Sequence, residues 1–190
     1  MTQAIRSLLQ TAAIAALALT PARAAELTTV RTDQSRLIFV YQQMGVPVEG
    51  AFTRFSAQLL FDPAAPNAAK AVLDLDLTSV DAASPEANDE LASKLWFDTK
   101  RFPTARFVAE RVTALGDHRY ELRGKITIKG RTRDLTTPVT FTPASDGGLF
   151  EGAFTLQRAD FAIGEGIWAD FGTVANEVQV KFRFVATAAK

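Results

Sequence analysis

The sequence predicts an all-β fold, an eight-stranded up-and-down antiparallel barrel with a short helical insertion at about 85–95. Three observations predict it. Apolar and polar residues alternate with period two along most of the chain. Turn-forming clusters separate the alternating runs at hairpin spacing. Around Pro85–Leu95 alone the period switches to a helical one. A two-sheet sandwich is the competing arrangement of the same strands.

The chain opens MTQAIRSLLQTAAIAALALTPARAA. Arg6 is a short basic region, Leu8–Leu19 is apolar, and Ala22-Arg23-Ala24 follows Pro21. That is the layout of a secretory signal peptide, and its run is too short to span a bilayer. The expected organisation is a leader over 1–24, cleaved after Ala24, and a single exported domain over 25–190.

Strands are expected at Arg36–Gln42, Val48–Phe61, Ala71–Leu77, Phe107–Val112, Tyr120–Gly130, Leu135–Phe141, Phe150–Gln157 and Val178–Phe184. Val48–Phe61 changes phase, which calls for a bulge or bend around Arg54. Pro138 suits a bulge or an edge. Ser84-Pro85-Glu86 is a helix start: an N-cap, a proline at the first helical position and an acid in the first turn. Ala87, Leu91 and Leu95 then recur four apart as one apolar stripe. Beyond them, LWFDTKRFPTARF (95–107) packs Trp96, Phe97, Phe102 and Phe107 into what reads as a turn.

An eight-stranded barrel holds side chains or one small ligand. The candidate lining on the inward phase is Phe39, Phe52, Leu73, Leu75, Phe107, Leu122, Gly124, Ile126, Ile128, Phe150, Gly152, Phe154, Leu156, Val180 and Phe182. Inward Gly124 and Gly152, with Gly50, either leave a void for an apolar guest or relieve curvature against large aromatics. Arg158 follows Phe154 and Leu156 on the inward phase. A buried charge needs a partner, so it either pairs with Asp160 or another carboxylate, or meets a ligand's polar head. Trp96, Phe97 and Phe102 are expected to cover one barrel end, as plug or lid. Trp168 and Phe171 line the same or the opposite end.

The chain has no Cys and one His, His118, in a turn. Thiol chemistry is excluded, and zinc sites and Cys–His or Ser–His pairs nearly so. Asp74 and Asp76 read as a solvated face. Asp160, Glu165 and Asp170 match no calcium loop. No metal site or catalytic residue is expected. Charges balance at 21 basic against 21 acidic, and losing Arg6 and Arg23 leaves 19 basic, a net of about −2. Nothing in that balance suggests electrostatic attraction to nucleic acid or to anionic lipid. An outer-membrane barrel would carry more Trp and Tyr than the two of each present here.

Four stretches then carry a resemblance: VEGAFTRFSAQLLFD (48–62), LWFDTKRFP (95–103), GKITIKGRTRD (124–134) and FEGAFTLQRADFAIG (150–164). In that order and spacing, the chain resembles the YceI family of polyisoprenoid-binding, lipocalin-like periplasmic proteins, from about Asp33 to Val185. The resemblance implies a barrel enclosing an elongated apolar tunnel. It implies a bound isoprenoid lipid, such as ubiquinone or a polyprenyl compound, and no other cofactor. It also implies residence in the periplasm, no stable membrane insertion, and transient contact with a cytochrome b-type membrane protein. The protein is expected as monomer or homodimer. Many family members carry His where this chain has Gln34 and Gln43, so any metal or proton role of those histidines is not expected here. Two readings of function result: a non-catalytic lipid carrier or store, and a structural or stress-protective barrel filled by its own side chains.

Overall fold

The computed structural model describes residues 26–189. The expected leader, 1–24, lies outside the described residues. The strands are β1 (Leu27–Val30), β2 (Arg36–Gln43), β3 (Val46–Phe52), β4 (Phe55–Leu60), β5 (Lys70–Asp76), β6 (Val80–Asp81), β7 (Thr104–Gly116), β8 (Arg119–Ile128), β9 (Arg131–Ala144), β10 (Gly147–Gln157) and β11 (Val174–Ala188), with one helix, α1 (Pro85–Ala92). All pair antiparallel in the order β4-β5-β7-β8-β9-β10-β11-β2-β3-β6, with β1 on the far end of β11.

The ribbon closes along one seam. β3 and β4 are consecutive in the chain, yet β3 pairs with β2 and β4 with β5. The break at Thr53-Arg54 is the predicted bend, and it divides the expected Val48–Phe61 strand in two. Leu27 closes the seam at one end, exchanging backbone hydrogen bonds of 2.8 and 3.0 Å with Phe61. At the other end Thr53 N donates to Ser79 O and Asp76 N to Arg54 O, both at 3.1 Å. The count is eleven strands and not eight, because of this break and because β1 and β6 have four and two residues, too few to show alternation.

The expected phases hold in β8, β10 and β11, whereas in β5 residues 71–76 are all half-buried and Val72, expected outside, borders the cavity. Tyr120, Leu122, Gly124, Ile126 and Ile128 are buried or half-buried, while Arg123 and Lys125 are exposed. Glu151, Lys181 and Arg183 likewise face outward. A wall with charge on its outer face is the reverse of a lipid-facing band. Pro138 is not at an edge, since β9 lies between β8 and β10. The β9–β10 ladder instead stops at Val139, and the Thr137 hydroxyl donates to Ala153 O at 3.1 Å. Proline has no N–H to offer there, and the side chain takes the place of a ladder bond.

The helix starts as expected, with Ser84 Oγ accepting from Ala87 N at 3.1 Å. It ends at Ala92, short of Leu95, and turns lead on to β7. The core gathers towards the two ends of the barrel. Near the β7–β8 turn, the Phe61 ring meets Tyr120, Phe141 and Phe150 at 5.4, 5.2 and 4.9 Å. At the other end Leu77, Trp96, Ala105, Ile128, Phe161, Ile163 and Val174 pack together.

Candidate functional site

Between those two packed ends lies a cavity of about 570 Å³. Its wall is the inward phase of the strands. Phe39, Phe52, Leu73, Leu75, Phe107, Leu122, Ile126, Ile128, Phe150, Phe154, Leu156, Val180 and Phe182 line it. Several of these large apolar side chains, Leu122, Phe154, Leu156 and Phe182 among them, are only half-buried. They face space that the chain itself does not fill. The exposed side chains of Glu86, Gln58, Lys70 and Arg106 also border the cavity, so it reaches solvent.

Gly124 and Gly152 do not line it, so of the two readings of these glycines the void is corrected and the close approach of large aromatics holds. A Cβ at Gly152 would strike Phe182 Cζ and, at 2.7 Å, Pro138 O. One at Gly124 would strike Val108 O and, at 2.7 Å, Phe107 Cζ. At Gly50 it would strike the Phe39 ring. Each glycine makes room for a phenyl ring from a paired strand. The rings therefore lie flat along the wall, and the hollow is in front of them.

The helix also forms part of the wall. Glu86, Ala87, Glu90 and Leu91 of α1 border the cavity, as do Tyr41 and Gln43 of β2. The Ala87–Leu91–Leu95 stripe was the available signal, since an apolar stripe must cover something. Burial pushes the phenols of Tyr41 and Tyr120, both on the wall, above their usual pKa, so they stay neutral.

The expected mouth residues divide. Arg158, Trp96, Phe97 and Trp168 border the cavity; Asp160, Phe102 and Phe171 do not. Asp160 is exposed. Phe102 packs against Gly130, with the Arg101 guanidinium 5.1 Å from its ring. Phe171 is half-exposed and stacks on Arg158 from outside the wall.

Arg158 is 1% exposed and, among the described residues, has no carboxylate partner. Its Nε donates to Ala175 O (3.1 Å), Nη1 to Ile163 O and Gly164 O (2.8 Å each), and Nη2 to Trp168 O (2.7 Å) and Val174 O (2.8 Å). A guanidinium has five N–H donors, and here every one meets a backbone carbonyl. The group lies between the rings of Trp96 and Phe171, 5.5 and 5.1 Å away. Burial pushes its pKa down from the usual value, but carbonyl dipoles and two π faces keep the cation in place. The expected pairing with Asp160 is thus corrected, and no N–H of Arg158 remains to hold a ligand's head. The side chain organises the 158–174 connection between β10 and β11.

Two further side chains, Lys129 and Trp168, pin that connection. Lys129 Nζ donates to Ala162 O at 2.6 Å, Lys94 O at 3.0 Å and Glu165 Oε2 at 3.2 Å. Trp168 Nε1 donates to Glu90 Oε1 at 2.7 Å. The indole N–H of Trp96, by contrast, is buried without a partner among the described residues. Asp170 turns back on Gly172 N and Thr173 Oγ1, so Asp160, Glu165 and Asp170 form no oxygen cluster. Among the described residues no group of acids or histidines is placed to hold a metal. No helix among them is long and apolar enough to cross a membrane.

The comparisons agree with this geometry. A UPF0312 protein of Pseudomonas putida is 31% identical over 122 residues, 61% of this chain and 64% of its own length. The chain thus spans under two-thirds of that relative. Burkholderia cenocepacia BcnA superposes with a TM-score of 0.82 at 41% identity, over 84% of this chain and all of that one. A polyisoprenoid-binding domain from Saccharophagus degradans shares the fold at 16% identity, with a TM-score of 0.66 over 87% of this chain and 99% of its own. Residues 29–186 match the YceI-like domain, and the chain belongs to the YceI family.

Proposed function

We propose that this protein is a non-catalytic, exported carrier or store for a long isoprenoid lipid, a quinone or a polyprenyl compound, held in the barrel and working in the periplasm. The cavity is the observation that carries the reading. It is bordered mainly by Phe, Leu, Ile and Val from nearly every strand. Its volume of about 570 Å³ is that of a binding pocket and not of a packing defect. A barrel serving only as structure would fill that space with its own side chains. The polyisoprenoid-binding domain of S. degradans, with the same fold, supports the choice of guest.

The energetics place selectivity in fit and in the head group. Burying an isoprene unit from water is worth roughly 3 kcal/mol, at about 0.8 per CH₂-sized group. An isoprenoid comes from a membrane, however, and moving its tail from one apolar medium to another gains little. We assign the head to polar side chains that border the cavity, Gln43, Glu86 and Glu90 among them. The test is mass spectrometry of an organic extract of the protein, purified without detergent from an exporting host. A near-stoichiometric isoprenoid is expected. Repeated absence of any co-purifying lipid would sink the reading.

A further inference from the structure

Four of the most exposed large apolar side chains stand at one end of the barrel. Met44 (72% exposed) belongs to the β2–β3 turn and Val46 (61%) opens β3, while Ile167 (80%) and Phe171 (49%) belong to the β10–β11 connection. The two segments are stitched together: Met44 N donates to Thr173 O at 2.9 Å, and Gln43 pairs with Val174. Gln43 and Trp168, next to Met44 and Ile167 in the chain, border the cavity.

The turn itself is unusual. Met44-Gly45 is a two-residue hairpin loop with both φ positive, +50° and +80°. Such loops favour Asn, Asp or Gly. The chain's other loops of this form, Asp117-His118 and Lys129-Gly130, carry polar residues at the same position. An exposed Met in a left-handed conformation is a poor choice for a merely solvated tip.

We propose that this end of the barrel docks on a lipid bilayer by inserting Met44, Val46, Ile167 and Phe171 among the acyl chains, bringing the cavity to the membrane that supplies or receives its guest. The proposal rests on the lipid-binding reading above. Four side chains of under about 250 Å² each, partly exposed, make a patch on the order of 500 Å². That is short of the ~800 Å² per partner that a stable protein interface buries. Protruding tips need no matching surface in a bilayer. With acidic and basic residues balanced at 21 each, docking is driven by apolar insertion and not by anionic lipid.

The experiment is flotation with phosphatidylcholine vesicles, at low and high salt, of the chain recovered from an exporting host. Wild type is compared with a Met44→Gln/Ile167→Gln double variant and with Leu115→Gln. Leu115 is 55% exposed but lies beside the β7–β8 turn, at the opposite end. The double variant is expected to lose about tenfold or more in partitioning; Leu115→Gln and salt are expected to change little. Equal loss in both variants, no loss in the double variant, or loss of wild-type binding at high salt overturns the docking. So does a wild-type dimer in sedimentation that the double substitution abolishes. Isoprenoid content is measured on the same samples. Lipid present without patch-dependent flotation rejects the docking alone. Patch-dependent flotation without lipid supports the docking and rejects the carrier reading.

Discussion

Trp168 donates its indole N–H to Glu90 across 2.7 Å, joining the β10–β11 connection to α1 although the two residues lie 78 positions apart. Both border the cavity, so the bond fastens two parts of its wall. A hydrogen bond to a charged acceptor is worth about 1.5–3 kcal/mol. Glu90→Ala is expected to lower stability by about 1–2 kcal/mol and to speed release of a bound lipid several-fold. Glu90→Gln keeps a carbonyl acceptor and should retain most of the wild-type behaviour. Stopped-flow release of a fluorescent polyene is the check; equal release rates in wild type and Glu90→Ala would remove the fastening role.

Arg158 supports the same connection from beneath. Removing it leaves the carbonyls of Ile163, Gly164, Trp168, Val174 and Ala175 without their donor. Arg158→Ala is expected to cost on the order of 3–5 kcal/mol, the scale of breaking a buried charge network. Arg158→Lys should recover little of it, because an ammonium has three donors and no planar fork. Urea unfolding of both variants measures this. A Lys variant as stable as wild type would show that the five-bond arrangement is not what holds the loop.

How much of this was legible in the sequence depends on range. Alternation in YELRGKITIKG or FEGAFTLQ is local, and it correctly assigned which side of each strand faces in. The bend at Arg54 and the cap at Ser84 are local too. What an inward residue meets is not local. Gly124 and Gly152 read equally as vacancies or as room for aromatics, because nothing local shows that Phe107 and Phe182, on neighbouring strands, lie over them. Arg158 read as half of an ion pair because side chains show in a sequence, while backbone carbonyls gathered by a loop do not. The cavity-facing side of α1 was missed for the same reason: its stripe was visible, its partner was not.

The glycines yield their own prediction. At Gly124 an added methyl strikes a backbone oxygen, Val108 O, which cannot swing aside. At Gly152 the first obstacle is the tip of Phe182, a side chain able to tilt into the cavity, and the backbone oxygen there, Pro138 O, stands further off at 2.7 Å. Overpacking of this kind costs about 1–3 kcal/mol. Gly124→Ala should therefore lie at the upper end and Gly152→Ala at the lower, with the latter also reducing lipid content as Phe182 moves inward. Thermal melts and lipid extraction of the two variants test the order, and the reverse ranking would contradict the packing.

Acid should act weakly, through surface carboxylates. The Thr78 hydroxyl, then the Thr78 backbone N–H and Arg54, hold Asp76 below the usual aspartate range. A depressed folded-state pKa contributes stability above the unfolded value, and that contribution fades as pH falls through the folded one. The group is partly solvated, so the contribution is only about 0.2–1 kcal/mol. Asp76→Asn should lower stability slightly at pH 7 and leave it unchanged well below the aspartate range. Urea midpoints at the two pH values give the comparison; a loss that persists undiminished in acid would assign the effect to packing and not to charge.

Filling the hollow separates lipid binding from folding. Leu73 and Leu122 both border the cavity from strands that pair with β7. Neither carries a polar group, so enlarging them leaves no donor or acceptor stranded. In a packed core such enlargement forces strain; beside empty space it adds contacts and can stabilise by about 0.5–2 kcal/mol. Leu73→Phe with Leu122→Phe is therefore expected to melt at or above the wild-type temperature while retaining several-fold less isoprenoid. Lower stability with unchanged lipid content would mean that this part of the cavity is not where the tail lies. Higher stability with lost lipid would show that the chain gives up packing there to keep room for a guest.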